Sequence, residues 1–357
     1  MIPILYPSDE TAFNSNGLGR LYDCISCEVT EERNGIYECD FEYPVTGAHF
    51  DEIILGRIIA VEHDDTNDVQ PFDIVSYSRP IDGVVTFHAQ HISYRLSKIV
   101  SIAVVSGTLP IAGFFGAFTS TSAIYPSSMP FTFNTDISAS GFCSAFDGVP
   151  KSVRSLLGGV EGSILDYFGG EFIWDKFNVT LMQSRGVDRD MTVRYGLNLT
   201  EYNEDADYSE SYNACVAYWT DGTTTVKTGQ VSASLTSYSG RTEVMALDLS
   251  DKFESQPTTS QLSSKAQSYM TSNQVNLPAQ SINVDFVNLK DTLEYADYAQ
   301  LWTCQLCDTV NVVFPKYGMK GKFKVVKTVY DVLQERFTSM ELGSLALTLG
   351  EALGLGG

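Results

Sequence analysis

Residues 307–343, CDTVNVVFPKYGMKGKFKVVKTVYDVLQERFTSMELG, constrain the fold more than any other stretch. Val310, Val312 and Phe314 alternate with polar neighbours, Pro315-Lys316-Tyr317-Gly318 reads as a turn, and Phe323, Val325 and Val329 resume the alternation before a last run over 337–342. A helix would need apolar residues every three or four positions. A period of two broken by Pro and Gly predicts three strands of an antiparallel meander instead. The same pattern fills the first quarter of the chain. Residues 23–32, 35–43, 53–63, 70–79 and 83–93 read as strands, separated by Asn34-Gly35, the 44–47 turn, the acidic turn 63–68 and Asp82-Gly83. Strands at such regular spacing predict a small antiparallel β-barrel over about residues 17–98.

The chain has 357 residues, room for about two to four domains. Aromatic residues make up 12%; with the β-branched residues they favour sheet and exclude a disordered chain. Acidic residues outnumber basic ones 44 to 23, a formal charge of −21. Sequence-specific nucleic-acid binding and stable attachment to an anionic membrane both need basic patches, so both are excluded. The one basic stretch, Lys316, Lys320, Lys322, Lys324 and Lys327, falls largely opposite the apolar positions and reads as the solvated face of a strand. Residues 99–135 carry no charge, and 99–118 approach membrane-spanning length. Ser101, Ser106, Gly107, Pro110, Gly113 and Gly116 interrupt that run, which predicts a strand leading into buried, Gly-punctuated turns. A subunit contact and a membrane-touching loop are the other readings. The N-terminus, MIPILYPSDE, has no basic lead and is not a signal peptide.

The strongest helix signal covers residues 152–168. Ser152 is placed to cap it, Val153, Leu156, Leu157, Val160, Ile164, Leu165 and Phe168 form an apolar stripe, and Gly169-Gly170 ends it. A strand pair follows over 171–174 and 177–182. β structure resumes over 196–202, 211–219 and 223–231, with Asp221-Gly222 as a hairpin turn. A polar helix is expected over 259–271, with Leu262, Ala266 and Tyr269 on one side, and a strand over 281–287. The expected organisation is therefore a first β-barrel over 1–99, an α/β unit over 100–194, a second β-barrel from 195–246 plus 298–343, a small α/β insertion over 247–297, and a tail over 344–357. The alternation suggests a duplicated architecture, although no repeat shows in the sequence.

Candidate chemistry is sparse. The seven cysteines include the pairs Cys24/Cys27 and Cys304/Cys307, which invite a zinc site. Both lie in strand-like runs without a glycine knuckle, where positions i and i+3 face opposite sides, so buried reduced thiols are expected. The four histidines are His49, His63, His88 and His91. No His-Glu-x-x-His helix and no Gly-x-Ser-x-Gly elbow is present. His88 and His91 lie three apart in a strand and face opposite ways. Glu161 and Asp166 fall on the wet side of the expected helix. The acidic run 201–210, EYNEDADYSE, lacks the order of a calcium loop and reads as an exposed strand or loop. Asn178 and Asn198 stand in glycosylation sequons. No catalytic, cofactor-binding or metal-ligating residue is assigned.

Several words of this sequence resemble one family. They are DTV at 308–310, the Tyr317-Gly318 turn, KVVKT at 324–328, YDVLQERFTSMELG at 330–343, SLLGGVEGSILDYFGGEFIWDKFNVTL at 155–181, YECDFEYPV at 37–45 and FHAQHISYRLS at 87–97. Together they are similar to the structural region of phage tail-tip proteins, the phage minor structural protein or prophage endopeptidase tail family, over about residues 21–343. The resemblance implies a β-rich α+β fold, two small antiparallel β-barrel domains with α/β insertion domains, like the contractile-phage baseplate hub. It implies a homotrimeric tail-tip hub that closes the hexameric tail tube, with the α/β insertions outside. The implied partners are other copies of the chain, tail tube or distal tail proteins, and a separate lysin or receptor-binding protein. The implied location is the virion tail tip, after assembly in the host cytoplasm. Longer members of the family carry a hydrolase or carbohydrate-binding module after this region. The family name keeps a second reading open, a peptidoglycan-degrading tail endopeptidase with an unrecognised active site. A receptor-binding adhesin is a third, weaker one.

Overall fold

The computed structural model describes residues 1–66, 68–81, 83–194, 199–232, 240–273, 275–277, 279–286, 304–314 and 319–344. The expected 315–318 turn, the 345–357 tail and the 287–303 segment lie outside these residues.

All five strands expected in the first quarter are present. Two short strands, β1 (Ile4–Tyr6) and β2 (Gly19–Arg20), precede them, followed by β3 (Ser26–Glu32), β4 (Tyr37–Pro44), β5 (Ile58–Glu62), β6 (Val69–Ser78) and β7 (Val84–His91). Along β4 the alternation is complete: Tyr37, Cys39, Phe41 and Tyr43 are buried while Glu38, Asp40 and Glu42 face outward. The C-terminal meander is present as Thr309–Phe314, Met319–Asp331 and Arg336–Ser344. The chain is β-rich with few helices, an α+β fold.

The two β regions share one sheet. Among the described residues its 13 strands run in the order Leu199–Asp207, Ala279–Phe286, Arg336–Ser344, Met319–Asp331, β3, β4, β7, β6, β5, β1, β2, with Asp188–Arg194 and Thr309–Phe314 branching from Met319–Asp331. The join lies within Met319–Asp331. Its first half pairs Thr309–Phe314, from Met319↔Phe314 to Lys324↔Thr309, and its second half pairs β3, from Lys327↔Glu32 to Asp331↔Glu28. Arg336–Ser344 follows its other edge, with an irregularity between Val325 and Lys327, where the partner changes. At that point the Cys307 N–H donates to the Val325 carbonyl at 2.9 Å and the Arg33 N–H to the Val326 carbonyl at 2.8 Å. The chain start is tied in as well: the Met1 ammonium donates to the Val332 carbonyl at 2.7 Å and pairs with Glu335.

Three expectations are corrected. Residues 152–168 do not form one helix but two short ones, α2 (Val153–Leu157) and α3 (Ile164–Phe168). The cause is local. Gly159 and Gly162 hold left-handed φ values of +113° and +73°, and the Ser163 hydroxyl accepts the Asp166 N–H as a fresh N-cap. The apolar stripe survives the break, because Val153, Leu156, Leu157 and Ile164 are all buried. Second, the uncharged stretch contains a helix, α1 (Ile111–Thr119), where turns were expected. Ile111, Phe114, Phe115 and Phe118 are spaced to one side and bury against Phe133 and Phe146, so tertiary packing outweighs Gly113 and Gly116. Third, Ala214–Thr220 and Thr225–Val231 do not join the large sheet as part of a second barrel. They form a separate three-stranded sheet with Val244–Asp248. Cys215, Ala217 and Trp219 face Leu262, Ala266 and Met270 of α4 (Thr259–Ser272), a small core of their own. That helix is where the sequence places it, opened by a capping box of Thr258 and Gln261.

A single larger core spans the first β region, the 100–194 unit and the C-terminal strands. One contact sets its tightness. Gly186 lies against the Cys307 and Asp308 backbone so closely that a Cβ would overlap the Cys307 carbonyl. Gly186→Ala is expected to lower unfolding stability by about 3 kcal/mol, because backbone rather than a mobile side chain must give way. Urea denaturation of the variant against the parent chain measures it.

Candidate functional site

The densest polar constellation lies where three segments meet. β3 sends Cys27, Val29 and Glu31 to the same buried side, so strand parity forces a carboxylate into the core. A buried charge must be paired. Arg185, on the loop after Asn178–Met182, supplies the partner: Nη1 donates to Glu31 Oε1 at 2.5 Å and Nη2 to Oε2 at 3.3 Å. The Arg185 backbone N–H donates to Glu171 Oε2 at 2.7 Å, and Lys324 Nζ donates to Glu171 Oε1 at 2.6 Å. Asp308 closes the group, accepting the Val187 N–H at 2.8 Å, Arg189 Nε at 2.8 Å and the Gln305 N–H at 3.0 Å. Burial opposes the Arg185 charge, but Glu31 overrides it and holds the guanidinium above its ordinary pKa. Burial likewise pushes the Glu171 carboxyl up, but the Lys324 and Arg185 hydrogen bonds more than reverse this and leave it below its ordinary value.

A second tie joins the barrel to the hairpin of Glu171–Asp175 and Asn178–Met182. Gln70 Oε1 accepts the Lys176 N–H at 2.9 Å and lies 3.2 Å from His91 Nε2. Lys176, at φ 51°, also donates from Nζ to Asp68 at 2.9 Å and to Asp175 at 3.1 Å. His91 is fully buried, and its Nδ1 accepts the Ser93 N–H at 3.3 Å. The ring is therefore neutral, with its proton on Nε2 facing Gln70, and it stacks on Tyr37 at 4.4 Å. Burial first, then the positive charge of His63 and Arg154, holds its pKa well below 6.5.

The residues weighed from sequence are scattered. Cys304 and Cys307 lie in a turn rather than in a strand, with Cys307 at φ 71°, and Cys24 precedes β3. Cys27 Sγ sits 3.7 Å from Cys39 Sγ on β4. All seven thiols are free, and burial pushes Cys143, Cys304 and Cys307 up to about 12. Hydrogen bonding to Cys27, then burial, raises Cys24 further. These thiols are poor nucleophiles. His88 and His91 do face opposite ways: His88 Nδ1 is 2.8 Å from Asp40 Oδ1, and its Nε2 is 3.8 Å from Glu38. His49 pairs with Glu52 at 3.6 Å, and His63 with Asp64 at 3.5 Å. Asp166 accepts the Gly162 N–H at 2.8 Å and Lys252 Nζ at 2.6 Å, which makes it part of the α2–α3 turn. Repulsion from Asp251 raises Glu161. Lys324 is not on an open solvated face, since it is partly buried as a partner of Glu171. Asn178 is exposed, whereas Asn198 and the side chains of 201–206 lie outside the described residues. Among the described residues no group of three or more His, Cys, Asp or Glu is placed to hold a metal ion, and no helix is long and apolar enough to cross a membrane.

Two outcomes follow from this geometry. Arg185→Met is expected to cost about 3–5 kcal/mol by stranding the Glu31 carboxylate, whereas Glu31→Met combined with Arg185→Met should cost much less. Denaturation midpoints of the two variants test the difference. His91 adds a pH dependence. Its folded pKa lies below its unfolded value of 6.5, so the unfolded chain takes up the extra proton first. Stability is then present above pH 6.5 and falls by about 1.4 kcal/mol per pH unit below it, down to the folded pKa. Urea titrations at stepped pH should show this slope in the parent chain and its loss in His91→Gln.

Comparison with known proteins gives the context. Residues 187–353 match the family model of the prophage endopeptidase tail. No curated protein matches the chain. Among solved structures, prophage tail protein gp18 of Listeria monocytogenes superposes with a TM-score of 0.63 at 14% identity, covering 99% of this chain and 98% of that one. The 43 kDa tail protein of prophage MuSo2 from Shewanella oneidensis gives 0.62 at 12% identity over 96% and 98%. A tail protein of Neisseria meningitidis gives 0.58 at 10% identity over 98% of both chains. The shared fold thus extends well beyond the matched segment, through β3–β7 and the 100–194 unit. Residues 187–353 thus carry the match to the prophage endopeptidase tail family model, and the chain as a whole has the fold of prophage tail proteins.

Proposed function

We propose that this chain is a structural subunit of a phage tail, a homotrimeric hub at the tail tip that adapts a hexameric tube to a three-fold end. The observation that carries this reading is the continuity of the sheet through Met319–Asp331. One rigid subunit then presents two β regions at a fixed mutual angle, and three subunits present six. Tube or distal tail proteins would dock on that ring, the α/β units would lie outside it, and a lysin or receptor-binding protein would be a separate chain. The location is the virion tail.

The charge distribution supports a channel-facing role for one sheet face. Asp331, Glu28 and Asp40 are direct neighbours across adjacent strands, followed by His88 on β7. Glu28 and Asp40 are exposed. Like charges directly opposite one another destabilise a sheet, so such a row needs another use. A wall that repels phosphate lets a polyanion pass without sticking.

The endopeptidase reading lacks a comparable support. His88 meets two carboxylates, and the buried thiols are held protonated. Sedimentation of the purified chain at high concentration, followed by end-on electron microscopy, should give a three-fold particle with six lobes around an acidic channel. A stable monomer, a two-fold particle or a basic channel would overturn the hub. Incubation with purified peptidoglycan should release no muropeptides. Release abolished by His88→Ala would favour the enzyme.

A further inference from the structure

The small α/β unit of Ala214–Thr220, Thr225–Val231, Val244–Asp248 and α4 has a core of its own, and none of its buried residues joins the larger core. The chain enters and leaves it through a narrow neck. Asp207 pairs Ala279 at the end of the large sheet, the Tyr212 N–H donates to the Val275 carbonyl at 2.6 Å, and the Ser211 hydroxyl donates to the Leu277 carbonyl at 3.0 Å. Beyond the neck, the described hydrogen bonds, ion pairs and ring contacts between the unit and the rest of the chain gather at α3. Lys252, in the turn Ser250–Lys252, donates from Nζ to Asp166 Oδ2 at 2.6 Å. Lys265 of α4 holds its ammonium 5.1 Å above the Tyr167 ring.

This contact is crowded with one sign of charge. Glu161 and Asp166 come to it from the α2–α3 segment, Asp248 and Asp251 come from the small unit, and Lys252 stands among the four. Lys252 is 12% exposed and bridges the two sides, with Asp251 Oδ2 at 2.5 Å as well as Asp166. Burial works against its charge, but the hydrogen bonds to Asp166 and Asp251 more than reverse this and hold its pKa above the ordinary value. Repulsion from Asp251, then burial and repulsion from Asp248, push the Glu161 carboxyl up. Tyr218 hydrogen-bonds Asp248 and adds no positive charge. Four carboxylates around one ammonium hold together only while that ammonium is in place; without it the two sides repel.

We infer that the small α/β unit is a hinged arm, clasped to α3 by Lys252 and pushed away from it by the carboxylates that surround this lysine. Separate cores let the arm swing at its neck without exposing much apolar surface, as in hinge motions between domains. Loss of the Lys252 bridge opens the arm, and neutralisation of Glu161 favours its closure. The inference goes beyond the tail-subunit reading and stands or falls apart from it, because every group involved lies on one copy of the chain.

Hydrogen exchange of the full chain, read peptide by peptide by mass spectrometry, tests the clasp. Lys252→Met keeps most of the apolar stem and removes the charge. It is expected to speed exchange in residues 159–169 at least about tenfold, while the amides of Ala214–Thr220 and α4 keep their protection, because an opened arm stays folded. Lys252→Met combined with Glu161→Gln and Asp251→Asn should bring 159–169 back toward the parent rate, since the repulsion is then relieved. Unchanged exchange in Lys252→Met would mean that the clasp holds nothing and would overturn the arm. So would faster exchange that spreads through Ala214–Thr220 and α4, which is unfolding of the unit. A triple variant that stays as fast as Lys252→Met would do the same, because lost packing rather than charge would then be the cause.

Discussion

The ladder between β3 and the second half of Met319–Asp331 is what the rest of the molecule depends on. It pairs Glu28–Glu32 with 327–331 across about 300 residues of chain. Without it each β region would end in an unpaired edge, and each would need a separate cover. With it, the first β region and the C-terminal meander become a single hydrogen-bonded body. The strand that makes the join changes partner halfway, and the irregularity near Val325 marks the change. The switch lets one long strand belong to two pairings on the same edge.

A ladder alone fixes neither register nor angle strongly when one face is polar. The buried charges beneath it supply that specificity. Glu31 lies on the core side of β3, next to Thr328 in the pairing, and its carboxylate finds Arg185 from a third segment. A slip of one residue would turn Glu31 to solvent and drive Glu32 or Thr30 into the core, leaving Arg185 buried and unpaired. Such an ion pair contributes little net stability compared with a packed apolar pair, but alternatives that break it are costly. Glu171, Lys324 and Asp308 extend the same logic to the hairpin and to the turn at Cys307. The junction thus reads as a registration device, and its deep burial keeps it away from any substrate.

Much of this was readable from the residues because strand parity is local. The alternation in 37–43 and 323–329 places β4 and Met319–Asp331 to within a few residues, and Thr258 with Gln261 opens α4 where the polar stripe begins. What was not readable depends on distant partners. Nothing near Ala214–Thr220 says that its apolar side meets α4 instead of the large sheet. The α2–α3 break follows from left-handed glycines whose φ values the apolar stripe conceals. Glu31 and Gln70 look like ordinary polar strand residues in the sequence. One signal was available for Glu31: it stands at the same parity as Cys27 and Val29, and a charge at a core parity demands a partner. The partner itself, 154 residues away, was not.

The acidic excess sets the remaining constraint. A chain with 21 more negative than positive charges repels its own copies, and that repulsion is weakest where apolar surface or lone cations replace carboxylates. The row Asp331, Glu28 and Asp40 is the opposite kind of surface, a place where the fold tolerates repulsion between neighbouring strands. Glu28 and Asp40 stand on the sheet face of the first β region, and Asp331 on the C-terminal strand that joins it. In the proposed trimer these carboxylates would line a common channel, where their fields add across the space between them. Salt would screen that field beyond about 8–10 Å, so it acts on what passes close to the wall.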